Sequence, residues 1–436
     1  MTMILVTDSG KSLPVAFHDN HTPLIIPRNQ HSISRKMMSE EVLKVLYRLK
    51  SQGHVAYLCG GGVRDLLLDI RPKDFDVATD AHPGRLKKIF RNARLVGKRF
   101  RLAHMVFKNG KIVEVSTFRK KPDFLEISNE SLLIKRDNTF GTPAEDALRR
   151  DFTINALYYN IADFSVIDYV GGTKDLKEQV IRSVGDPFVR FQEDPVRICR
   201  GIRFSAHLRF QIEANTWQAM CEHGPKVATC AAPRIQEELL RLMRGKSVAQ
   251  GFLLLYKARV LVSILPELDY LEKKKDEIVL FWDLLGALDE LRETIQPCED
   301  ALLWSVIFLD PVLQNLGNLP LNQNGVEKSH DYLTIPWIRL NIPNAVRRQS
   351  FSMLMNMRTI LSIKDEKELI GKRGRILYRP DFTQTIKLLK IYARARGLDT
   401  SLVVLWERYY QEWQKRGRPP RKKRRRRRAK VKKLCC

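Results

Sequence analysis

A chain of 436 residues is longer than the roughly 250–300 at which a single hydrophobic core stops growing, so two or three domains are expected. With 44% hydrophobic and only 8% aromatic residues it can bury real cores, yet no apolar run nears the ~20 residues of a membrane-spanning helix, and Met1 to Arg35 lacks the layout of a secretory signal, which excludes a transmembrane segment and points to the cytoplasm. A net charge of +27 puts nucleic acid first among partners, because Lys and Arg that neutralise phosphates release counterions, and seven scattered cysteines without zinc spacing exclude a disulfide framework or structural zinc.

In chain order, Val42, Leu43, Val45, Leu46 and Leu49 recur at helical spacing behind Ser39, Glu40 and Glu41, a cap and two first-turn acids, and predict a helix from Ser39 to Lys50. Val55 to Cys59 is a short apolar strand that runs into Gly60-Gly61-Gly62, after which Val63 to Ile70 restores a helical pattern. A strand around Phe75 and Val77, a helix from Pro83 to Phe90, and strands at Arg94 to Val96, His104 to Phe107 and Ile112 to Phe118 follow. Lys120 to Asp137 is charged and aperiodic and reads as a mobile loop. Pro143 to Arg150 predicts a short helix, and Phe152 to Ile161 with Ser165 to Val170 a strand pair.

Beyond Gly171-Gly172 the pattern is helical to about Gln414, with leucine-rich stretches at Ile235 to Met243, Ile278 to Leu291 and Phe382 to Ala395. Clusters near Pro266, Pro311 to Pro320 and Pro336 to Pro343 are expected to divide these helices into sub-bundles. Lys415 to Lys433 holds 14 Lys or Arg and no acid, leaving +13 on the rest; self-repulsion predicts a disordered tail.

Chemistry concentrates around Asp74-Phe75-Asp76, nine residues after Asp65. In a strand, residues i and i+2 share a face, so Asp74 and Asp76 present two carboxylates together while Phe75 packs inward. Such acids repel until Mg²⁺ neutralises them, and two ions ~3.5–4 Å apart can clamp the attacking and leaving oxygens of a phosphoryl transfer. Gly60 and Gly61 allow a phosphate to approach backbone N–H groups at a helix start, with Arg64 as a cationic clamp. An isolated Asp-x-Asp is more often a surface loop; its junction with the glycine turn gives it weight. Glu114, between Val113 and Val115, and Asp151, after Arg149 and Arg150, are candidates for a third carboxylate, each with an ordinary ion pair as its alternative. On a helix beginning near Glu193, Asp194 and Arg197 lie at i and i+3 and combine acceptors with a donor fork that can read a base without a template. Arg200 and Arg203 extend that row, and a solvated ion pair is again the plainer alternative.

Leu58 to Asp65 resembles the glycine motif of the class II branch of polymerase-β-like nucleotidyltransferases, which holds bacterial poly(A) polymerases and CCA-adding enzymes, with Cys59 where valine is more usual. Arg149 to Leu157 is similar to a second motif, used at the ribose and metal end of the nucleotide; Asp168 to Leu176 is similar to a hinge motif, and Glu193 to Arg197 to one whose Asp and Arg pair with the base edge. The resemblance implies an α/β N-terminal polymerase-β-like nucleotidyltransferase domain followed by all-α domains. The expected parts are an extension at 1–35, a catalytic domain at 36–172, a helical nucleotide-recognition domain at 173–265, a helical RNA-binding domain at 266–414 and a basic tail at 415–436. On this reading Asp74, Asp76, Asp151 and Glu114 are catalytic. Gly60, Gly61, Arg64, Arg150, Asp194, Arg197 and Arg200 bind the nucleotide, and Asp74 and Asp76 hold Mg²⁺ in a two-metal site.

Leu95 to His104 resembles the stretch that marks the poly(A)-adding branch, and Ile25 to Arg35 and the basic tail fit it too. The implied activity is template-independent addition of AMP from ATP to RNA 3′ ends, forming tails that affect RNA processing and decay, with RNA-decay proteins as further partners of the basic tail. CCA addition to tRNA, which uses the same four motifs, is the second reading. An inactive RNA-binding protein is a third, opposed by intact Asp74, Asp76, Arg64 and Arg197. His330-Asp331 lacks the additional ligands of an HD phosphohydrolase site and reads as a loop pair.

Overall fold

A computed structural model of the protein describes residues 22–97, 102–120, 139–273, 279–363, 376–377 and 381–416. The expected loop beyond Lys120, the centre of the Leu95 to His104 stretch and the basic tail beyond Arg416 lie outside these residues. The chain divides into two compact units, Met1–His223 and Gly224–Cys436.

The first unit carries strands β1 (Leu24–Ile26), β2 (Ala56–Cys59), β3 (Asp76–Thr79), β4 (Ala93–Val96), β5 (Leu102–Val106), β6 (Ile112–Thr117), β7 (Leu157–Asn160) and β8 (Val166–Asp168). They form one sheet in the order β1-β8-β7-β2-β3-β6-β5-β4, antiparallel throughout except for the parallel pair β3 and β6. Helix α1 (Glu40–Ser51) is capped as its sequence predicts, with Ser39 accepting from the Val42 N–H, and it packs on β2, β3 and β6. Val42, Val45, Leu46 and Leu49 are fully buried beneath it, each worth about 1.5–3 kcal/mol of transfer free energy.

Helices α2 (Gly61–Leu67), α3 (Pro83–Ile89), α4 (Pro143–Arg149) and α5 (Gly172–Glu178) connect or flank the strands, and α6 (Pro187–Glu193), α7 (Val196–Leu208) and α8 (Ala214–His223) complete the unit. Thr142 and Glu145 form a capping box at the start of α4. At the start of α5, buried Asp168 accepts from the N–H groups of Val170, Gly171, Gly172 and Thr173 and from the Thr173 hydroxyl. A Cβ at Gly172 would stand 2.2 Å from the Thr153 carbonyl oxygen, so this turn closes only with glycine.

Three elements differ from expectation. Asp74 precedes β3 instead of lying in it, and Phe152 to Ile161 is a 3-10 turn at Thr153–Asn155 before β7. No helix begins at Glu193: that residue ends α6, Asp194 has extended geometry (φ −152°, ψ 89°), and Pro195 precedes α7. The residue before a proline is pushed out of the helical region, yet the Arg197 N–H still donates to the Asp194 carbonyl at 3.2 Å, so the two residues stay one turn apart at the entry to α7.

The second unit is helical over its described residues, with long helices at Asp300–Leu316, Gln323–Arg339, Asn344–Leu361, Phe382–Ala395 and Ser401–Arg416. Pro311 and Pro336 lie inside the first two and do not divide them. Proline costs a helix interior ~3 kcal/mol, but burial of Trp304, Phe308 and Trp337 outweighs that loss. Trp304 stacks on Phe308 with ring centroids 6.2 Å apart, and Phe308 meets Trp337 edge-on. Buried Arg358 donates to the carbonyls of Leu316 and Leu319, closing the end of the Asp300–Leu316 helix. His330 and Asp331 lie on the second helix, exposed and 3.8 Å apart, where a loop was expected.

Candidate active site

Strand register assembles the site. Ile25, Ile167, Tyr158, Cys59, Asp76, Glu114, His104 and Arg94 are successive partners from β1 to β4, and residues in register share a face of a sheet. The row is apolar or weakly polar from Ile25 to Cys59 and charged or titratable from Asp76 to Arg94. The neighbouring row, Val166, Tyr159, Leu58, Val77, Val115 and Ala103, points to the other face and is buried. The acidic cluster therefore stands on a sheet whose reverse is core.

Asp76 is exposed, yet its carboxyl is pushed up to about 6, first by loss of water among the surrounding atoms and then by the charges of Glu114 and Asp74, with Arg150 acting in the opposite sense. Glu114 lies 3.4 Å from His104 Nε2. This crowding of hard oxygen donors fits a magnesium ion, which is held by one or two carboxylates and otherwise keeps its waters or takes substrate phosphates. Among the described residues there is no group of three or more His, Cys, Asp or Glu that could hold a metal ion. Cys59 is buried and its thiol is pushed up to about 11, so it is a packing residue and not a nucleophile.

The glycine turn lies beside these acids. Gly60 has φ 73°, outside the range comfortable for a side chain, and a Cβ there would stand 3.0 Å from Arg150 Nη1. A Cβ on Gly62 would meet the Asp74 carbonyl oxygen at 3.6 Å, so the turn and the Asp74 backbone are in contact distance. Gly61 opens α2.

Arg64 and Arg150 are more deeply engaged than their sequence implies. Arg64 is 8% exposed; it donates to Asp65 at 2.6 and 2.9 Å and to Asn155 at 2.7 Å, with its guanidinium 5.1 Å from the Phe204 ring. Arg150 donates to the Tyr158 hydroxyl, the Asn155 carbonyl and Asp146, and Tyr158 donates to the same Asp146 carboxylate at 2.8 Å. Asp146, Asn155 and Tyr158 escaped the sequence reading; Asn155 lay inside a quoted motif, but its partner is 91 residues away.

Asp151 is buried, and its Oδ2 pairs with Arg200 at 3.1 Å while Oδ1 accepts from the Phe152 N–H. Burial pushes this carboxyl up, but Arg200, the Phe152 N–H and Arg197 together hold it below the usual range. Through Arg200, Asp151 ties the segment between α4 and β7 to α7. Arg190 adds a second tie, donating to the carbonyls of Arg149 and Arg150 at 2.6 and 2.8 Å. Arg197 donates to the Arg190 carbonyl and lies 3.5 Å from Glu193. Asp194, at the break between α6 and α7, remains within one short segment of Arg197.

Lys73 and His207, which sequence reading missed, join Arg64 and Arg203 in a cluster bordering α2 and α7. His207 is held down to about 4, first by desolvation and then by Arg203, Arg64 and Lys73. Its spacing from Arg197, Arg200 and Arg203 on α7 was the available signal. These cations form a positive region beside the glycine turn and Asp74.

The pattern described as "Poly A polymerase head domain" matches residues 56–182, and that described as "Probable RNA and SrmB- binding site of polymerase A" matches residues 209–271. The chain is 43% identical over 303 residues to poly(A) polymerase I of Salmonella typhi, an alignment covering 66% of this chain and 64% of that protein, slightly under two thirds of the relative's length. It is 34% identical over 400 residues to poly(A) polymerase I of Haemophilus influenzae, covering 89% and 88% of the two chains. Among solved structures, the crystal structure of the Bacillus stearothermophilus CCA-adding enzyme in complex with CTP is similar at a TM-score of 0.62 and 25% identity, over 86% of this chain and 81% of that one.

Proposed function

The chain belongs to the class II nucleotidyltransferase family of bacterial poly(A) polymerases and CCA-adding enzymes, and from that premise we propose that it adds AMP from ATP to RNA 3′ ends without a template. The observation that carries the reading is the register of Asp76 with Glu114, beside a glycine turn in contact distance of Asp74. An acidic patch, a turn open to phosphate and a bordering basic cluster are what nucleotidyl transfer requires.

In the proposed reaction the RNA 3′-hydroxyl gives its proton to water as its oxygen bonds to the α-phosphorus, the bond from that phosphorus to the α,β-bridging oxygen breaks, and pyrophosphate leaves with the electron pair. Asp74 and Asp76, with Glu114 as neighbour, would hold Mg²⁺, which when bound supplies neutralisation of the phosphate charge. Gly60 and Gly61 leave room for the triphosphate, and Lys73 and Arg203, which flank the neutral His207, provide positive potential where pyrophosphate charge develops. Arg64 and Arg150 support the turn and α4, and Asp151 with Arg200 braces α7. Catalysis is then chiefly positioning and electrostatic stabilisation. Asp194 and Arg197 are assigned to the base edge of ATP.

The segments 173–265 and 266–414 are assigned to nucleotide recognition and RNA binding, and 415–436 to charge-driven contact with RNA and with RNA-decay proteins in the cytoplasm. Similarity to the CTP-bound CCA-adding enzyme supports a second reading, CCA addition to tRNA. A sizing gel with each nucleotide supplied singly separates them, using an oligo(A) primer and a tRNA lacking its terminal CCA. Many adenylates added to the primer, with CTP a poor substrate, are expected; ordered addition of two C and one A to the tRNA alone would overturn the poly(A) reading.

A further inference from the structure

Two adjoining cavities lie away from the acidic row. Tyr159 follows Tyr158 in β7 and so points to the opposite face of the sheet. It lines a cavity of about 460 Å³ with Arg28, Arg35, Lys36, Tyr47 and Phe164. Leu43 and Tyr47 of α1 also line a second cavity of about 790 Å³, together with Arg48, Phe90 and Phe107. The shared residues make the two one groove along α1.

The groove combines cations with aromatic faces. Arg35 lies 4.7 Å from the Phe164 ring centroid and donates to the Tyr47 hydroxyl at 2.7 Å, and Arg48 lies 5.5 Å from the Phe90 centroid. Glu40, the one acid lining either cavity among the described residues, is paired with Lys44 at 3.1 Å. Arg28, Arg35, Lys36 and Arg48 are therefore left without a counter-charge from the lining. Tyr159 and Phe90 are buried and Tyr47 is exposed, so the groove offers a run of cations for phosphate neutralisation and one exposed ring, Tyr47, for base stacking, the combination that binds single-stranded nucleic acid.

We propose that this groove, which runs beside α1 where that helix covers the reverse of the sheet, is a second binding track for single-stranded RNA, holding nucleotides upstream of the 3′ end. The upstream role rests on the proposed activity; binding to the groove does not. The track lengthens the grip on RNA without touching the chemistry, so it acts on long strands and not on short primers.

The test uses the full chain and fluorescent oligo(A) strands of six and thirty nucleotides, titrated by anisotropy without ATP at several salt concentrations. Arg28, Lys36 and Arg48 are exposed, so the triple variant Arg28→Gln, Lys36→Gln, Arg48→Gln keeps the fold. It should weaken the thirty-nucleotide strand about tenfold and lower the log–log salt slope by roughly 2, as the loss of three single-strand phosphate contacts requires. Extension of the six-nucleotide primer should not change. A thirty-nucleotide strand carrying 4-thiouridine should photocrosslink to wild-type protein within residues 28–48. Unchanged affinity and slope in the triple variant, with no crosslink in that segment, would overturn the track. If wild-type protein incorporates no ATP but the variant still binds the long strand more weakly, the activity fails and the track stands.

Discussion

Asp76 and Glu114 face each other across the one parallel junction of the sheet, although 38 residues separate them in sequence. Two carboxylates in register on the same face gain only when a cation or a proton sits with them. Asp74→Ala or Asp76→Ala should therefore abolish AMP incorporation, while RNA affinity measured by anisotropy stays within about twofold, since phosphate contacts made elsewhere carry binding. Incorporation at the wild-type rate by either variant would remove these carboxylates from the chemistry.

The same crowding makes a statement about stability. The Asp76 carboxyl is pushed up to about 6 in the folded chain, above the ~3.9 of an unfolded aspartate. The folded state thus holds the proton more tightly, and stability is lost as pH rises from about 4 through about 6. Asp76→Asn should raise the metal-free melting temperature at pH 7.5 by about 2–4 °C, or roughly 1 kcal/mol after discounting for solvent screening. The difference should vanish at pH 4 and shrink when Mg²⁺ is added. A variant less stable than wild type at pH 7.5 would contradict the repulsion.

His207 reports on the triphosphate. Held down to about 4 by desolvation and by Arg203, Arg64 and Lys73, its imidazole is neutral at physiological pH in the free chain. A polyphosphate among those cations cancels their field, so ATP should move the His207 titration upward by at least about one unit. NMR with His207→Gln for assignment checks this, and an unmoved titration at saturating ATP would put the polyphosphate elsewhere.

Base choice is assigned to Asp194 and Arg197. A site built on hydrogen bonds rejects wrong partners because buried groups are left unpaired, so Arg197→Ala should reduce the kcat/KM preference for ATP over CTP by roughly two orders of magnitude. Preference retained in full would move base reading to another residue.

Asp168 accepts five hydrogen bonds at the start of α5. Asp168→Ala leaves several buried donors unpaired at about 1–3 kcal/mol each, and the melting transition should collapse by at least about 3 kcal/mol under conditions where Asp168→Asn loses less. Equal melting of the two variants would deny the turn its role.

Local pattern made most of the first unit legible. A short apolar run found β2, strand-like stretches found β5 and β6, the cap at Ser39 found α1, and glycines followed by Asp74 and Asp76 found the centre of the candidate site. What stayed hidden depended on distant partners. The pairing of Glu114 with Asp76 needs the crossover that makes β3 and β6 parallel, and nothing near Glu114 encodes it. Arg64 carries the charge of a phosphate clamp, but Asn155 and Phe204, far along the chain, decide where its guanidinium goes. The break at Asp194 was readable from Pro195, whose ring disfavours helical geometry in the residue before it. Pro311 was misjudged because helical burial can outweigh a missing backbone donor.

The row from Ile25 to Arg94 also constrains how this gene can change length. Inserting one codon into β6 ahead of Glu114 would turn that side chain to the opposite face, where Val113 and Val115 now pack. Single insertions within the paired strands are thus far more disruptive than most substitutions there. The turn between β5 and β6, where Asn109, Gly110 and Lys111 are exposed, lies outside that row, and extra codons there would cost only the bonds from Asn109 and Lys111 to Glu41 of α1. Variation in length among working descendants of this sequence should gather at such turns, leaving the spacing inside each strand untouched.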